Sequence, residues 1–192
     1  EMVKLAGGTP VFVTTQNNYF KITATQLEQA ITNKSKWLIL NSPTNPTGAV
    51  YTESELRELA NILLKHEQVY ILSDDIYQHI TFNNNVCKNI LQIEPKLYSR
   101  TFTVNGVSKA YAMTGWRLGY GAANIKLIKK ISTILSQTTS HTATISQHAA
   151  IAALNGPHAF IREHNQILQN NMDIALTAIN NTKNLSCTKP RG

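Results

Sequence analysis

The chain has 192 residues, 42% of them hydrophobic and 15% charged, which excludes a disordered protein and favours one globular domain. Its formal net charge is +7, but the basic residues are scattered, and we therefore expect no nucleic-acid partner. No apolar run approaches the ~20 residues of a membrane span, and the cysteines and histidines form no metal-binding pattern. The chain shows no signal peptide, so we expect a cytoplasmic protein without a membrane or metal site.

The first elements are short. Residues 11–13 are apolar, follow turn residues and are typical of a strand. Thr23 and Gln26 form a capping-box pattern ahead of an apolar stripe, which predicts a helix. The compact apolar run at residues 37–40 is typical of a strand that is buried on both faces.

A proline-rich loop follows at residues 42–48. Thr52 and Glu55 then form a second capping box before leucines at helical spacing, which predicts an amphipathic helix. Residues 69–72 are predicted to form another buried strand, and the Asn-rich segment 83–97 an irregular excursion.

In the second half, residues 101–104 and 118–123 are predicted strands. Helices are predicted at 125–136 and 143–154, and Pro157 is well placed to start a long helix that runs to about residue 181. The candidate core residues of that long helix are Phe160, Ile161, Ile167, Leu168, Ile174 and Ile179.

Alternating strands and helices predict an α/β fold with a mostly parallel sheet flanked by helices. Three polar stretches lie at or just beyond predicted strand ends, at residues 41–48, 73–77 and 105–120. Ligands bind at the carboxyl ends of the strands in open parallel sheets, so these stretches are the candidate site.

The third stretch holds Lys109, with Arg117 eight residues further on and small residues between them. An amine among small residues can be approached closely by a carbonyl group, and a guanidinium offers a planar fork of donors to a phosphate. Together they indicate a lysine that forms an imine with a phosphorylated aldehyde.

All three stretches resemble, in the same order, the motifs of class I aminotransferases, enzymes of fold type I that depend on pyridoxal 5'-phosphate (PLP). NSPTNPTG at residues 41–48 is similar to the asparagine loop of that family. SDDIY at 73–77 is similar to its aspartate–tyrosine strand end, and residues 108–120 to its lysine motif. The sequence NGVSK at residues 105–109 most resembles the bacterial aspartate aminotransferase branch of the family.

The resemblance implies roles for individual residues. Lys109 would hold PLP as a Schiff base and, once freed by the substrate amine, move the proton from Cα to the cofactor. Asp74 would pair with the protonated pyridine nitrogen; the family has a tyrosine three residues after this aspartate, which favours Asp74 over the competing Asp75 because of Tyr77.

The same resemblance implies that Tyr77 and Asn45 hydrogen-bond the 3'-oxygen of the cofactor, and that Asn45 also contacts the substrate carboxylate. The bond before the proline that follows Asn45 is often cis in the family. Arg117 would bind the phosphate. A family serine three residues before the lysine is replaced here by Gly106, so one phosphate ligand is missing unless Ser108 compensates.

Members of the family are about twice as long, so the resemblance implies a fragment that lacks both ends. We expect residues 1–156 to be part of the PLP-binding large domain, and 157–192 the connecting long helix and the start of the small domain. The expected function is transfer of an amino group between an amino acid, aspartate in the first place, and a 2-oxo acid, by a homodimer when complete. The alternatives are aromatic or prephenate transamination, β-elimination, or a non-catalytic fragment.

Overall fold

The computed structural model describes residues 1–83 and 85–192. The strands are β1 (Trp37–Asn41), β2 (Tyr70–Asp74), β3 (Thr101–Gly106) and β4 (Gly119–Ala122). The α-helices are α1 (Met2–Leu5), α2 (Ala24–Ala30), α3 (Glu53–Lys65), α4 (Ile90–Ile93), α5 (Ile125–Gln137), α6 (Thr144–Asn155) and α7 (Ala159–Asn180). Single 3₁₀ segments cover Gln16–Asn18, Pro95–Arg100 and Thr114–Trp116.

The four strands form one sheet in the order β1-β2-β3-β4. β1, β2 and β3 are parallel, and β4 returns antiparallel to β3. The predicted α/β fold with a mostly parallel sheet is therefore confirmed. The register sets Asn41 opposite Asp74, and Asp74 opposite Val104, so that the loops after β1, β2 and β3 leave from the same edge.

Capping boxes start three of the helices. The pairs Thr23–Gln26 and Thr52–Glu55 form reciprocal bonds at the starts of α2 and α3, as predicted. A third box, from Asn89 to Gln92, starts α4 inside the segment 83–97, where no helix was predicted. Asn84 of that segment lies outside the described residues.

The main core lies between α3 and one face of the sheet. α3 contributes a buried stripe, Leu56, Leu59, Ala60 and Leu63, against Leu40 and Ile71 of the strands and Leu27, Ile90, Ile93 and Leu97 of neighbouring segments. A second buried cluster lies under the loop that carries Lys109 and joins it to α6 and α7: Val107, Ala110, Tyr111, Leu118, Ala150 and Ile161. The loop with the proposed catalytic lysine therefore rests on packed side chains.

The strand at residues 37–40 is not buried on both faces, contrary to the prediction. Leu40 is 6% exposed, whereas Trp37 and Ile39 are 46% and 50% exposed. Tyr70 of β2 is also exposed and lies beside Trp37, with ring centroids 5.2 Å apart. Helices α2 and α3 cover one face of these strands, whereas Trp37, Ile39 and Tyr70 are exposed on the other.

Two further predictions are wrong. Residues 11–13 form no strand, because they find no described strand to pair with, and Val11 and Phe12 are largely exposed. In α7, which starts at Ala159 rather than at Pro157, Ile161 is buried and Phe160 partly buried. Three predicted core residues of this helix are exposed: Ile167, Leu168 and Ile174. Only the first turns of α7 pack against the second cluster.

None of the helices in the described part of the chain is long and apolar enough to cross a membrane. Among the same residues, no group of three His, Cys, Asp or Glu side chains is arranged to hold a metal ion.

Candidate active site

The loops that follow β1, β2 and β3 carry the site residues predicted from the sequence. Asn45 lies in the first loop, Tyr77 in the second, and Lys109 and Arg117 in the third, while Asp74 is the last residue of β2. Because the three strands are parallel and adjacent, the loops meet at the carboxyl edge of the sheet.

Asn45, Tyr77 and Lys109 form a chain of contacts across these loops. The amide Nδ2 of Asn45 donates to the hydroxyl oxygen of Tyr77 at 3.1 Å. The Nζ atom of Lys109 lies 5.4 Å from the centroid of the Tyr77 ring, within the range of a cation–π contact. Tyr77 is half-buried, and both Asn45 and Lys109 are exposed, so the polar ends of all three are open to a ligand.

Asp74 and Asp75 are separated by the alternation of side chains along β2. Asp75 is 3% exposed and lies on the helix-covered face of the sheet, as do Ile71 and Ser73. Asp74 lies on the opposite face, as does Tyr70, and is only half-buried. One carboxylate oxygen of Asp74, Oδ1, accepts from the Ile76 backbone N–H at 3.2 Å, which holds the group in place.

The carboxylate of Asp75 is fully engaged inside the protein. Its Oδ1 accepts from the Ser73 hydroxyl at 2.7 Å and its Oδ2 from the Asn89 amide at 2.9 Å. Burial raises the pKa of Asp75, against these two hydrogen bonds, and the charge of Asp74 raises it further. Asp75 is therefore engaged inside the protein, and Asp74 is the more exposed of the two carboxylates; its pairing with a ring nitrogen stays a prediction.

Arg117 lies in the same loop as Lys109, but the described residues show no direct contact between the two. Its backbone is left-handed (φ 53°), and its Nη1 donates to the Thr114 carbonyl at 3.0 Å. The side chain is exposed, so the rest of the guanidinium fork is available to an anion. No contact here tests its proposed role at a phosphate.

Lys109 also borders an open crevice with mainly apolar walls. The crevice is lined by Ile80 of the second loop, by Ala112 of its own loop and by Leu168 of α7. The lysine thus borders both an apolar wall and the ring of Tyr77.

The asparagine loop is held in a defined shape. Both Ser42–Pro43 and Asn45–Pro46 are cis, and the second of these was expected from the sequence. Thr44 bonds to both ends of the turn: its hydroxyl donates to the Asn41 carbonyl at 2.6 Å, and its carbonyl accepts from the Gly48 N–H at 2.8 Å.

Two features of this loop were missed in the sequence. The side chain of Asn41 connects the loop to β2; the available signal was an asparagine at the end of a strand, directly before Ser-Pro. The second feature is the segment 190–192, which packs against Gly48: the N–H groups of Arg191 and Gly192 donate to the Gly48 carbonyl at 2.8 and 3.2 Å. No local signal predicts that contact.

The donor set fits a small aromatic aldehyde phosphate. Lys109 supplies an amine, Asn45 and Tyr77 supply neutral donors for a phenolic oxygen, Asp74 supplies a carboxylate for a ring nitrogen, and Arg117 supplies a fork for a phosphate. These are the kinds of group that imine chemistry on a phosphorylated aromatic aldehyde requires, and they lie on the loops at the carboxyl edge of the parallel sheet or at its last residues.

The family profile described as "Aminotransferase class I and II" matches residues 1–192, and the chain belongs to this family. It is 49% identical over 193 residues to the aspartate/prephenate aminotransferase of Cereibacter sphaeroides, and 51% identical to a probable aspartate/prephenate aminotransferase of Rickettsia conorii. Each match covers 100% of this chain and 48% of the relative, so the chain spans about half the length of those proteins.

Solved structures agree. The aspartate aminotransferase from Rhizobium meliloti superposes with a TM-score of 0.96 at 42% identity, over 100% of this chain and 48% of that one. The aromatic aminotransferase from Pyrococcus horikoshii does so with a TM-score of 0.92 at 34% identity, over 99% of this chain and 51% of that one. These matches confirm the fold and family inferred from the three motifs.

Proposed function

We propose that this chain is the cofactor-binding part of a PLP-dependent aminotransferase and that Lys109 carries PLP as a Schiff base. The observation that carries the proposal is the contact chain from Asn45 through Tyr77 to Lys109, because it sets two neutral donors beside an accessible amine. Family membership over the whole chain supports the same conclusion.

The side chains divide the work between binding and proton transfer. Asn45 and Tyr77 hold the 3'-oxygen, Arg117 holds the phosphate, and Asp74 keeps the ring nitrogen protonated. When bound, PLP supplies an electron sink for the carbanion that forms at the substrate Cα. The neutral amine of Lys109, which lies over the Tyr77 ring, would take the proton from the substrate Cα and deliver it to the C4′ atom of the cofactor.

The proposed substrates are an amino acid, aspartate in the first place, and a 2-oxo acid. The support is that relatives with 49–51% identity are named aspartate/prephenate aminotransferases. Those names favour prephenate transamination as the second candidate, ahead of aromatic substrates and β-elimination. Asn45 would also contact the substrate carboxylate, since its side chain is exposed beside Lys109's partner Tyr77.

The remaining proposals concern the whole protein. Residues 1–156 belong to the large PLP-binding domain, and residues 157–192 lead into the small domain. The complete enzyme is a homodimer in the cytoplasm; two free cysteines, Cys87 and Cys187, agree with a reducing compartment.

The test is covalent trapping of PLP with borohydride, in the 192-residue chain and in a polypeptide of the relatives' length that contains it. We expect a reduced adduct that peptide mass spectrometry maps to Lys109, and its loss in Lys109→Ala. The matched control is Lys130→Ala, which removes an exposed lysine of α5 and should leave the adduct unchanged.

An equal yield of adduct in Lys109→Ala, or an adduct on another lysine in the longer polypeptide, would overturn the assignment. An adduct confined to the longer polypeptide would show that Lys109 is correct and that the chain needs further segments to hold PLP. Steady-state transamination in the longer polypeptide then tests the substrate: faster turnover of an aromatic amino acid than of aspartate overturns the aspartate proposal.

A further inference from the structure

The side chain of Asn41 makes hydrogen bonds to two separate parts of the proposed site. Its amide Nδ2 donates to the carbonyl oxygen of Asp74 at 3.0 Å. Its amide oxygen accepts from the backbone N–H of Asn45 at 3.1 Å. Asn41 itself touches no atom that the proposed function assigns to the cofactor or the substrate.

These two partners require an amide in one orientation. The carbonyl of Asp74 can only accept a hydrogen bond, and the N–H of Asn45 can only donate one. The nitrogen of the Asn41 amide must therefore face Asp74, and its oxygen must face Asn45. A carboxylate at this position would keep the second bond but would set an acceptor against the Asp74 carbonyl, and an apolar side chain would lose both bonds.

The strand register explains why this one residue reaches both partners. Asn41 is the last residue of β1, and it lies opposite Asp74, the last residue of β2. Beyond this pair the two chains diverge into their loops. The Asn41 amide adds a further connection at that point, next to the bond from the Ser42 N–H to the same Asp74 carbonyl at 3.4 Å.

We propose that Asn41 is a positioning residue that sets the distance between Asp74 and Asn45. Because Asn45 in turn donates to the Tyr77 hydroxyl, Asn41 sets where the donors for the 3'-oxygen lie relative to the carboxylate for the ring nitrogen. This role rests on the proposed function, since it assumes that these three side chains hold one ligand.

The test compares Asn41→Ala and Asn41→Asp with a control, Asn124→Ala. Asn124 also makes hydrogen bonds to main-chain groups through both ends of its side-chain amide. Its oxygen accepts from the Lys126 and Leu127 N–H groups at 3.0 and 3.1 Å, and its nitrogen donates to the Ser99 carbonyl. It caps α5, away from the three site loops. The control thus removes the same chemistry, with a comparable loss of stability, but outside the site. Asn41→Asp, which is nearly isosteric, keeps the test valid if Asn41→Ala does not fold.

The first readout is a crystal structure of each variant without cofactor. We expect both Asn41 variants to lose the bond from Asn45 Nδ2 to the Tyr77 hydroxyl, and Asn124→Ala to retain it. The second readout is PLP binding in the longer polypeptide. We expect about tenfold weaker binding in Asn41→Ala, the equivalent of one lost hydrogen bond, and a higher pH midpoint for the imine absorbance, because the 3'-oxygen is less well stabilised.

An unchanged Asn45–Tyr77 bond in both Asn41 variants would overturn the proposal, as would PLP affinity and an imine midpoint equal to those of Asn124→Ala. Failure of the proposed function looks different. In that case Asn45→Ala and Tyr77→Phe would leave the imine midpoint unchanged, while the crystal structures would still decide whether Asn41 positions Asn45.

Discussion

The side-chain amide of Asn45 donates to the hydroxyl of Tyr77 across 32 positions of sequence, at 3.1 Å. The two residues leave the sheet from neighbouring parallel strands, so their contact depends on the strand register rather than on either loop alone. Two neutral donors are thereby held together at one point, beside Lys109.

Tyr77→Phe should raise the pH midpoint of the imine absorbance by about 1, because one hydrogen bond to the 3'-oxygen is worth about 1 kcal/mol. The ring beside Lys109 stays, so the lysine should still form its adduct with PLP. A spectroscopic pH titration measures the change. Tyr98→Phe, at an exposed position, is the control; a midpoint that moves equally in both variants would contradict the role of Tyr77.

In the longer polypeptide that the proposed function uses, Asp74→Asn should lower kcat by roughly 100-fold, in the range seen when a charge-stabilising group is removed from an active site. The fold should persist, since an asparagine oxygen can still accept from the Ile76 N–H. Asp75→Asn, the neighbouring change, should leave kcat within a few-fold. Steady-state kinetics of both variants checks this, and a larger loss for Asp75→Asn would reverse the assignment.

Asp75 should also give the chain a specific pH dependence of stability. Burial holds the pKa of this carboxyl above its usual 3.8, so the folded state binds the proton more tightly than the unfolded chain. Its contribution to stability is therefore fully present below the unfolded pKa and is lost as the pH rises through the folded pKa. In urea unfolding over a pH series, the free energy of unfolding of the wild type should fall relative to that of Asp75→Asn as the pH rises. A difference that does not change with pH would contradict this.

Gly48→Ala should cost about 2–4 kcal/mol of unfolding free energy. Gly48 has φ +65°, and a Cβ there would overlap the Pro190 Cβ and lie 2.6 Å from the Gly192 oxygen, so strain and overlap add. Gly7→Ala separates the two causes, because Gly7 has φ +75° and open space around it; we expect about 1 kcal/mol. Equal costs in urea unfolding would show that the contact with 190–192 contributes nothing.

Thr103→Val should stabilise the chain by about 1 kcal/mol. The Oγ1 atom of Thr103 is buried in β3 and has no hydrogen-bond partner among the described residues, so its hydroxyl costs free energy that an isosteric methyl does not. Thr101→Val is the matched control on the same strand: its hydroxyl donates to the Leu97 carbonyl at 2.9 Å, and its loss should destabilise by a similar amount. Urea unfolding measures both, and two changes of the same sign would count against this account.

Local patterns predicted the strands and helices that carry the site. The capping boxes at Thr23 and Thr52 mark helix starts because their bonds lie within four residues, and the apolar runs before Asp74 and Lys109 mark strands. The order of the three motifs then indicated one site. These features are local or follow from the parallel arrangement, so they can be read without coordinates.

Features that depend on distant partners could not be predicted in this way. The role of Asn41 requires the pairing of β1 with β2, and the contact of Gly48 with Arg191 joins residues 143 positions apart. Residues 11–13 have a strand-like pattern but no described strand beside them. Periodicity identified the apolar residues of β1 and α7, but it does not show whether other residues cover them. In β1, Leu40 is covered, whereas Ile39 is exposed.

The contact between the asparagine loop and residues 190–192 uses main-chain atoms alone. Gly48 accepts from the N–H groups of Arg191 and Gly192, and the Arg191 carbonyl accepts from the Phe82 N–H at 2.8 Å. A Cβ at position 192 would lie 2.7 Å from the Ile80 oxygen. Position 191 therefore keeps these bonds through its backbone with any side chain except proline, whereas a Cβ at position 48 or 192 would overlap neighbouring atoms.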